Sequence, residues 1–191
     1  MLNEIQEATT RLNRLVENLL DMTRLESGHL KPKVDWCDVS DLVNVTLRQI
    51  EREMAQHKVT TDIAPGLPLV RMDFVLIQHV LTNLLLNAAT HTPPGTAVMV
   101  SANKAGDSLS LSVADRGPGL PPDSIERIFD KFFRAPNAAP GGTGLGLSIV
   151  KGFVEAHGGT VTTENRVSGG AVFTIELPLG EPPPASAEAN A

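Results

Sequence analysis

Hydrophobic positions repeat every seven residues along the first 26 residues of the chain. Ile5, Leu12 and Leu19 form one series, and two parallel series run beside it with charged residues in between. This pattern predicts one long helix over residues 1–26, because a heptad repeat keeps an apolar stripe on one side of a helix. A lone helix with such a stripe needs a partner. We therefore expect the chain to begin in the middle of a helical bundle, with the stripe as a dimer or hairpin face. The alternative is that this helix packs only against its own domain.

Helical and alternating patterns are interleaved in the rest of the chain, after a linker around residues 31–33. Helical spacing predicts a second helix from Asp38 or Ser40 to about His57, a third after Asp73, and a last one after Gly146. A short helix is expected over residues 121–128. Period-two alternation predicts strands over residues 59–63, 98–103, 109–113, 160–165 and 171–177. Since these elements lack a βαβ rhythm, we predict an α+β fold, a two-layer sandwich with helices over one face of a mixed sheet.

Composition narrows the classes of function. The chain has 191 residues, 41% of them hydrophobic, which is enough for a real core, and a formal net charge of −6. Sparse aromatic residues and the negative charge argue against nucleic acid as a partner. The single Cys37 excludes a disulfide framework and a thiolate metal cluster. Polar residues interrupt the apolar stretch 74–89, so we expect this stretch to form a buried helix and not a membrane span. No signal peptide opens the chain. We expect a cytoplasmic chain, attached to a membrane only through regions upstream of it, and a disordered tail over residues 180–191.

A glycine-rich stretch precedes the last predicted helix. Gly142, Gly144 and Gly146 lie in six residues that begin at Gly141, and Gly158-Gly159 ends the helix that follows. A flexible loop that leads into a helix N-terminus presents backbone N–H groups and the positive end of the helix dipole, which together favour an anion such as phosphate. A plain loop is the alternative, because a lone pattern of this kind is weak evidence.

Two further patterns place polar side chains where a ligand could reach them. Asn83 and Asn87 lie four residues apart on one face of an otherwise apolar helix, where an amide oxygen suits Mg²⁺ or the pair could line a polar pocket. Asp115 ends a strand and is followed by Gly117 and Gly119. It is either an ordinary turn aspartate or a partly buried carboxylate that accepts from an exocyclic amine.

These motifs together resemble the ATP-binding domain of sensor histidine kinases, within the GHKL ATPase superfamily. The segment NLLLNAATHT resembles the N box, DRGPG the G1 box, IFDKFFR the F box, and GTGLGL the G2 box, in the family's order and spacing. The segment LVENLLDMTRLESG is similar to the second helix of the dimerisation and phosphotransfer domain of these kinases. The resemblance covers about residues 1–178. Within the family the motifs look most like those of KdpD-type potassium-responsive kinases.

The resemblance implies how the chain is divided into segments and which proteins the intact kinase would bind. Residues 1–30 would be the second helix of the dimerisation bundle, residues 31–179 the ATP-binding domain with the Bergerat (GHKL) fold, and residues 180–191 a tail. The intact kinase would form a homodimer through the N-terminal helix. It would transfer the γ-phosphoryl group of ATP to a histidine upstream of residue 1, and then to an aspartate of a response regulator receiver domain.

The resemblance also implies roles for individual residues in a site for ATP and Mg²⁺. Asn87 would be the Mg²⁺ ligand, Asn83 would face the phosphates, and Asp115 would accept the adenine amino group. The remaining candidates are the adenine neighbours Gly117, Gly119 and Thr174; Lys131 and Arg134, which would reach toward the phosphates; and the G2-box residues Gly142, Thr143, Gly144, Leu145, Gly146 and Leu147. His91, which lies in the N box, is a further candidate for lining the pocket. The segment from Phe129 to Pro140 would be a mobile lid, in which Phe129, Phe132 and Phe133 are expected to serve packing and hinge roles.

Two departures from the family pattern leave alternatives open. Thr90 stands where the family often has a lysine, and none of the five histidines has the acidic and Arg-Thr-Pro context of a phosphoacceptor. We therefore expect ATP binding without autophosphorylation. An ATP-hydrolysing clamp of the gyrase, HSP90 or MutL type is disfavoured because the third helix has no acid that could activate water. A serine kinase is disfavoured by the heptad helix, and a degenerate partner-binding module stays open because of Thr90.

Overall fold

The long N-terminal helix is present and has two different sides. The computed structural model describes residues 2–28, 30–136 and 142–180. Helix α1 (Leu2–Glu26) confirms the helical prediction. Leu12, Val16 and Leu19 are exposed, whereas Met22 is buried and Leu25 packs against the core. The C-terminal end of α1 therefore packs on its own domain, which was the alternative interpretation, while Leu12, Val16 and Leu19 of the apolar stripe face solvent.

The second predicted helix is split into two. Asp38 caps α2 (Val39–Gln49) by accepting from the Ser40 N–H at 2.6 Å. Ile50 leaves the helical conformation (φ −110°, ψ 22°), and α3 (Glu51–Met54) follows directly. Both Ile50 and Met54 are buried. Because Ile50 and Met54 keep the apolar spacing of one continuous helix, periodicity alone could not predict the break.

Five strands form the main sheet, and all five were predicted. They are β2 (Lys58–Ile63), β4 (Ala97–Ala105), β5 (Ser108–Asp115), β6 (Thr160–Asn165) and β7 (Ala171–Pro178). Their order is β2-β4-β5-β7-β6; β2 is parallel to β4, and the other pairs are antiparallel. The sheet is mixed as expected, and the helices pack against it in the predicted two-layer α+β arrangement.

A second, two-stranded sheet was not predicted. It pairs β1 (Asp35–Cys37) with β3 (Val70–Met72) in antiparallel register, and Trp36 lies opposite Arg71. Strands of three residues are too short to show a period-two pattern.

Two helices of the helical layer lead directly to the candidate site. Helix α4 (Phe74–His91) is capped by Asp73, whose Oδ1 accepts from the N–H groups of Val75 (3.1 Å) and Leu76 (3.2 Å). Helix α5 (Gly146–Ala156) begins at the end of the glycine loop. The segment Pro122–Arg127 is a 3-10 helix, at the place where a short helix was expected.

Some expectations fall outside the described residues. They concern Met1, His29, residues 137–140 of the predicted lid, Gly141 of the glycine-rich stretch, and residues 181–191 of the predicted tail. Among the described helices, none combines the length and apolar character needed to cross a bilayer.

Candidate functional site

A cavity of about 630 Å³ lies between α4, the turn after β5 and the glycine loop. This volume is in the usual range of small-molecule sites. Most of the predicted site residues line it: Asn83, Asn87, His91, Asp115, Gly119, Arg134, Gly142, Thr143, Gly144, Gly146 and Leu147. Segments that are distant in sequence, from the N box, the G1 box, the F box and the G2 box, therefore meet in one place.

Helix α4 contributes one polar face to the cavity. Asn83, Asn87 and His91 recur every four residues, and all three line it. The Asn83 Nδ2 donor is buried and has no hydrogen-bond partner among the described residues. A buried donor without an acceptor is costly, so this amide suits a ligand with acceptor oxygens, such as a phosphate.

The last turn of α4 carries His91 and Thr90, whose side chains bear on the charge of the cavity. Burial lowers the pKa of His91 below its ordinary value, and the positive charge of Arg134 lowers it further. Thr90, at the position where the family often has a lysine, donates its hydroxyl to the Leu86 carbonyl oxygen (2.7 Å) and adds no charge.

Asp115 is held in one orientation at the end of β5. Its Oδ1 accepts from the Gly117 N–H at 2.7 Å and from the Ala171 N–H at 3.3 Å, and the residue is 7% exposed. Within the described part of the chain, no hydrogen bond reaches its Oδ2. The carboxylate therefore has one oxygen tied to the backbone and the other left for a donor such as an exocyclic amine.

Glycine is required at several points around Asp115. A Cβ on Gly117 would lie 2.5 Å from the Thr92 Cγ2, so this residue packs below the aspartate rather than lining the cavity. Gly170 has a φ of +92°, and a Cβ there would collide with the Asp115 carbonyl oxygen. The close approach of the β6–β7 turn to Asp115 depends on these missing side chains.

The glycine loop is joined to the segment that carries the F box. Gly144 has a φ of +71°, and its carbonyl oxygen accepts from the Phe132 N–H at 3.0 Å. A Cβ on Gly144 would lie 2.7 Å from the Phe132 carbonyl carbon. Leu145 is 2% exposed and packs in the core, so only its backbone could face a ligand. The loop is thus anchored by Leu145 and packed against the lid at Gly144.

Four predicted site residues do not line the cavity, and one of them is Leu145, whose side chain packs in the core. Lys131 points to the surface between α1 and α5, where its Nζ lies 2.7 Å from a Glu26 carboxylate oxygen. Thr174 lies opposite Ser112 in the sheet, on the face away from the cavity, whereas its neighbours Ala171 and Phe173 line the cavity. Gly117, as noted above, packs against Thr92.

Sequence reasoning missed contributors from two places. Arg14 and Asn18 of α1 line the cavity, although the heptad helix was assigned only to a bundle. Phe133 lines it as well, and its ring stacks under the Arg127 guanidinium at 4.7 Å from the ring centre, so it is more than a packing residue. No local pattern marks Arg14 or Asn18, because their place at the cavity depends on how α1 packs on the domain.

Comparison with known proteins agrees with this geometry. The model of the HATPase_c family, described as histidine kinase-, DNA gyrase B-, and HSP90-like ATPase, matches residues 72–181. The chain belongs to the HATPase_c family. The match begins at β3 and includes every segment that lines the cavity except α1.

The relatives of this HATPase_c chain are sensor histidine kinases. It is 38% identical over 177 residues to the sensor protein KdpD of Escherichia coli (strain K12), covering 92% of this chain but 20% of KdpD. The chain therefore spans about a fifth of this relative. Full-length ShkA in complex with AMPPNP superposes with a TM-score of 0.80 at 27% identity, over 92% of this chain and 37% of ShkA. ThkA in complex with the response regulator protein TrrA superposes with a TM-score of 0.74 at 25% identity, over 93% and 50% of the two chains.

Proposed function

We propose that this chain is the ATP-binding catalytic part of a two-component sensor histidine kinase. It positions Mg-ATP so that the γ-phosphoryl group passes to a histidine outside this chain, and from there to an aspartate of a response regulator. One observation carries the proposal: a single cavity gathers Asn87, Asp115 and the glycine loop around Gly144. The crystallised neighbours ShkA, with AMPPNP, and ThkA, with a response regulator, support it.

The residues present fit a magnesium nucleotide. Asp115 offers a free carboxylate oxygen to the adenine amino group, and the buried Asn83 amide offers an unpaired donor to a phosphate oxygen. No cluster of three or more His, Cys, Asp or Glu side chains in the described ranges could hold a metal alone. Mg²⁺ would therefore be held by the Asn87 amide oxygen together with phosphate oxygens and water, in keeping with its preference for few protein ligands.

The chain's own contribution to phosphoryl transfer is binding and orientation. Bound Mg-ATP would supply the phosphoryl group, and the metal would neutralise charge on it. Backbone N–H groups of Gly142, Gly144 and Gly146 would face the phosphates at the start of α5, and Arg134 would add a positive charge. Helix α4 contains no Asp or Glu. Without a carboxylate on this helix to activate water, we expect negligible ATP hydrolysis.

The wider assembly follows from the same proposal. Exposed Leu12, Val16 and Leu19 on α1 would pair with a partner helix in a homodimer. The similarity to KdpD favours potassium as the sensed signal and a cytoplasmic location for this chain, with membrane attachment through regions outside it.

Nucleotide titration tests the proposal. The chain should bind a fluorescent ATP analogue in the presence of Mg²⁺, and Asn87→Ala should abolish the magnesium-dependent part of the affinity. Asn44→Ala, on α2, serves as the matched control because Asn44 is exposed. Absence of binding by the unaltered chain would favour a degenerate partner-binding module.

A second assay tests the location of the phosphoacceptor. The isolated chain incubated with γ-labelled ATP should acquire no acid-labile label, because none of its histidines has the phosphoacceptor context. Label on one of them would contradict that part of the proposal and leave ATP binding intact.

A further inference from the structure

Helix α1 reaches the cavity that we propose as the nucleotide site. Arg14 and Asn18 line the same cavity as Asn83 and Asn87, although they belong to a helix outside the matched family region. Asn18 is 4% exposed, so it is enclosed where α1 meets the domain. This contact brings a charged and a polar side chain from α1 to the ligand site.

Specific contacts hold this end of α1 on the domain. Asp21 Oδ2 lies 3.1 Å from His79 Nδ1 on α4. Leu25 fills the space left by Gly152 on α5, where a Cβ would lie 2.6 Å from the Leu25 Cδ1. An ion pair between Glu26 and Lys131 lies at the end of the helix. Three different contacts thus fix the position of α1 relative to α4, α5 and the F-box segment.

The same contacts place two unsatisfied amides at the cavity. From the Asp21–His79 pair, one turn back along α1 leads to Asn18 and one turn forward along α4 leads to Asn83. Asn18 Oδ1 and Asn83 Nδ2 are both buried without a hydrogen-bond partner in the part of the chain that the structure describes. An acceptor and a donor are therefore left over in the same cavity, and a ligand that offers both an acceptor and a donor would satisfy them.

We propose that α1 completes the nucleotide site within the same chain, and that Asn18 and Arg14 bind the magnesium–polyphosphate end of a nucleoside triphosphate. This inference rests on the proposed function. Asn83 donates to a phosphate oxygen, and Asn18 accepts from a water of the hydrated Mg²⁺. Arg14 supplies a guanidinium, a group suited to phosphate, in a site where Thr90 brings no charge. Nucleotide binding and docking of α1 then stabilise each other.

Arg14 provides the first test because it is exposed and its replacement does not threaten the fold. Affinities of the full chain for ATP, ADP and AMP are measured by titration calorimetry with Mg²⁺. Arg14→Gln should weaken ATP binding about tenfold, the effect of losing one charged contact worth roughly 1.4 kcal/mol. AMP binding should stay unchanged. Arg48→Gln, an equal charge change at an exposed position of α2, should leave all three affinities unchanged.

Asn18 provides the second test. Asn18→Ala should also weaken Mg-ATP binding about three- to tenfold and leave AMP binding unchanged. The neighbouring exposed Asn13→Ala is the matched control on the same helix. Because Asn18 Oδ1 has no protein partner, the melting temperature of the nucleotide-free variant should not fall. A merely structural asparagine would instead lower the melting temperature and affect ATP and AMP alike.

The outcomes separate this inference from the function on which it rests. If the unaltered chain binds Mg-ATP, and Arg14→Gln and Asn18→Ala bind it equally well, the contribution of α1 is refuted and the proposed function stands. If the unaltered chain binds no nucleotide, both fall. A loss in the variants that grows from AMP to ATP supports the contact with the polyphosphate.

Discussion

Replacing Asp115 with asparagine should exchange the nucleotide base that the site prefers. In the parent chain Oδ1 accepts two backbone N–H groups, at 2.7 and 3.3 Å, and Oδ2 is left to accept the amino group of adenine. Asparagine keeps an oxygen for the two N–H groups, so its NH₂ group occupies the place of Oδ2. A donor then faces the adenine amino group, which is also a donor. Inosine carries a carbonyl oxygen at that position and can accept from the new amide.

The expected loss can be worked out from this geometry. A hydrogen bond to a buried charged group contributes about 1.5–3 kcal/mol, and a buried donor left without an acceptor costs about 1–3 kcal/mol. Asp115 is 7% exposed, so water gives little compensation. The sum for ATP is about 2.5–6 kcal/mol, or roughly 60- to 20,000-fold in affinity. ITP should lose much less, and the variant should therefore prefer ITP over ATP.

Calorimetric titration with Mg-ATP and Mg-ITP measures both affinities on the same protein. Asp107→Asn, in the exposed turn between β4 and β5, makes the same charge change far from the cavity and should alter neither affinity. A thermal melt checks that the variant keeps the stability of the parent fold. If Asp115→Asn melts like the parent chain and binds ATP with unchanged affinity, the assignment of the adenine contact is refuted.

Three further perturbations test the glycine loop, the packing of helix α1 and His91 at the cavity. Gly144→Ala should weaken ATP binding, because the new Cβ would lie 2.7 Å from the Phe132 carbonyl carbon. Gly106 also has a positive φ but lies in open space, so Gly106→Ala should lower the free energy of unfolding by only about 1–2 kcal/mol. Gly152→Ala should speed hydrogen exchange in α1 by displacing Leu25, and adding Leu25→Ala should restore protection. Burial lowers the pKa of His91 from 6.5, so the folded state resists its protonation. Urea unfolding should therefore show stability falling as pH drops below about 6.5, and His91→Gln should reduce that fall.

The sequence was most informative where local spacing decides the structure. The four-residue interval between Asn83 and Asn87 places both amides on one face of α4, and both reach the cavity. The strands of the main sheet showed period-two alternation and were all predicted. By contrast, β1 and β3 are three residues long and carry no such signal. The fold of the main layer was therefore accessible from pattern, and the small sheet was not.

The alternation of side chains along β7 explains why Thr174 does not line the cavity. Ala171, Phe173, Ile175 and Leu177 alternate on the buried face, and the first two of them line the cavity. Thr174 belongs to the other set, opposite Ser112 on the far face of the sheet. The alternation is visible in the sequence and places Thr174 on the other face, whereas its role near adenine is implied only by the resemblance.

Lys131 shows a limit of a different kind. It lies in the F box, but its ammonium group pairs with Glu26, a residue 105 positions earlier in the chain. A partner so distant in sequence leaves no local signal. Such a surface pair contributes little to stability, so here it matters mainly as a sign of where α1 lies.

The two roles of α1 do not compete for the same side of the helix. At about 100° per residue, Arg14, Asn18 and Leu25 share one side, and Leu12, Val16 and Leu19 lie on nearly the opposite side. The first group faces the domain and the second is exposed. A partner helix could therefore cover the exposed stripe while Asn18 stays at the cavity. The heptad pattern did not mark the cavity contacts, because it follows apolar spacing, whereas Arg14 and Asn18 are polar and their place at the cavity depends on how α1 packs on the domain.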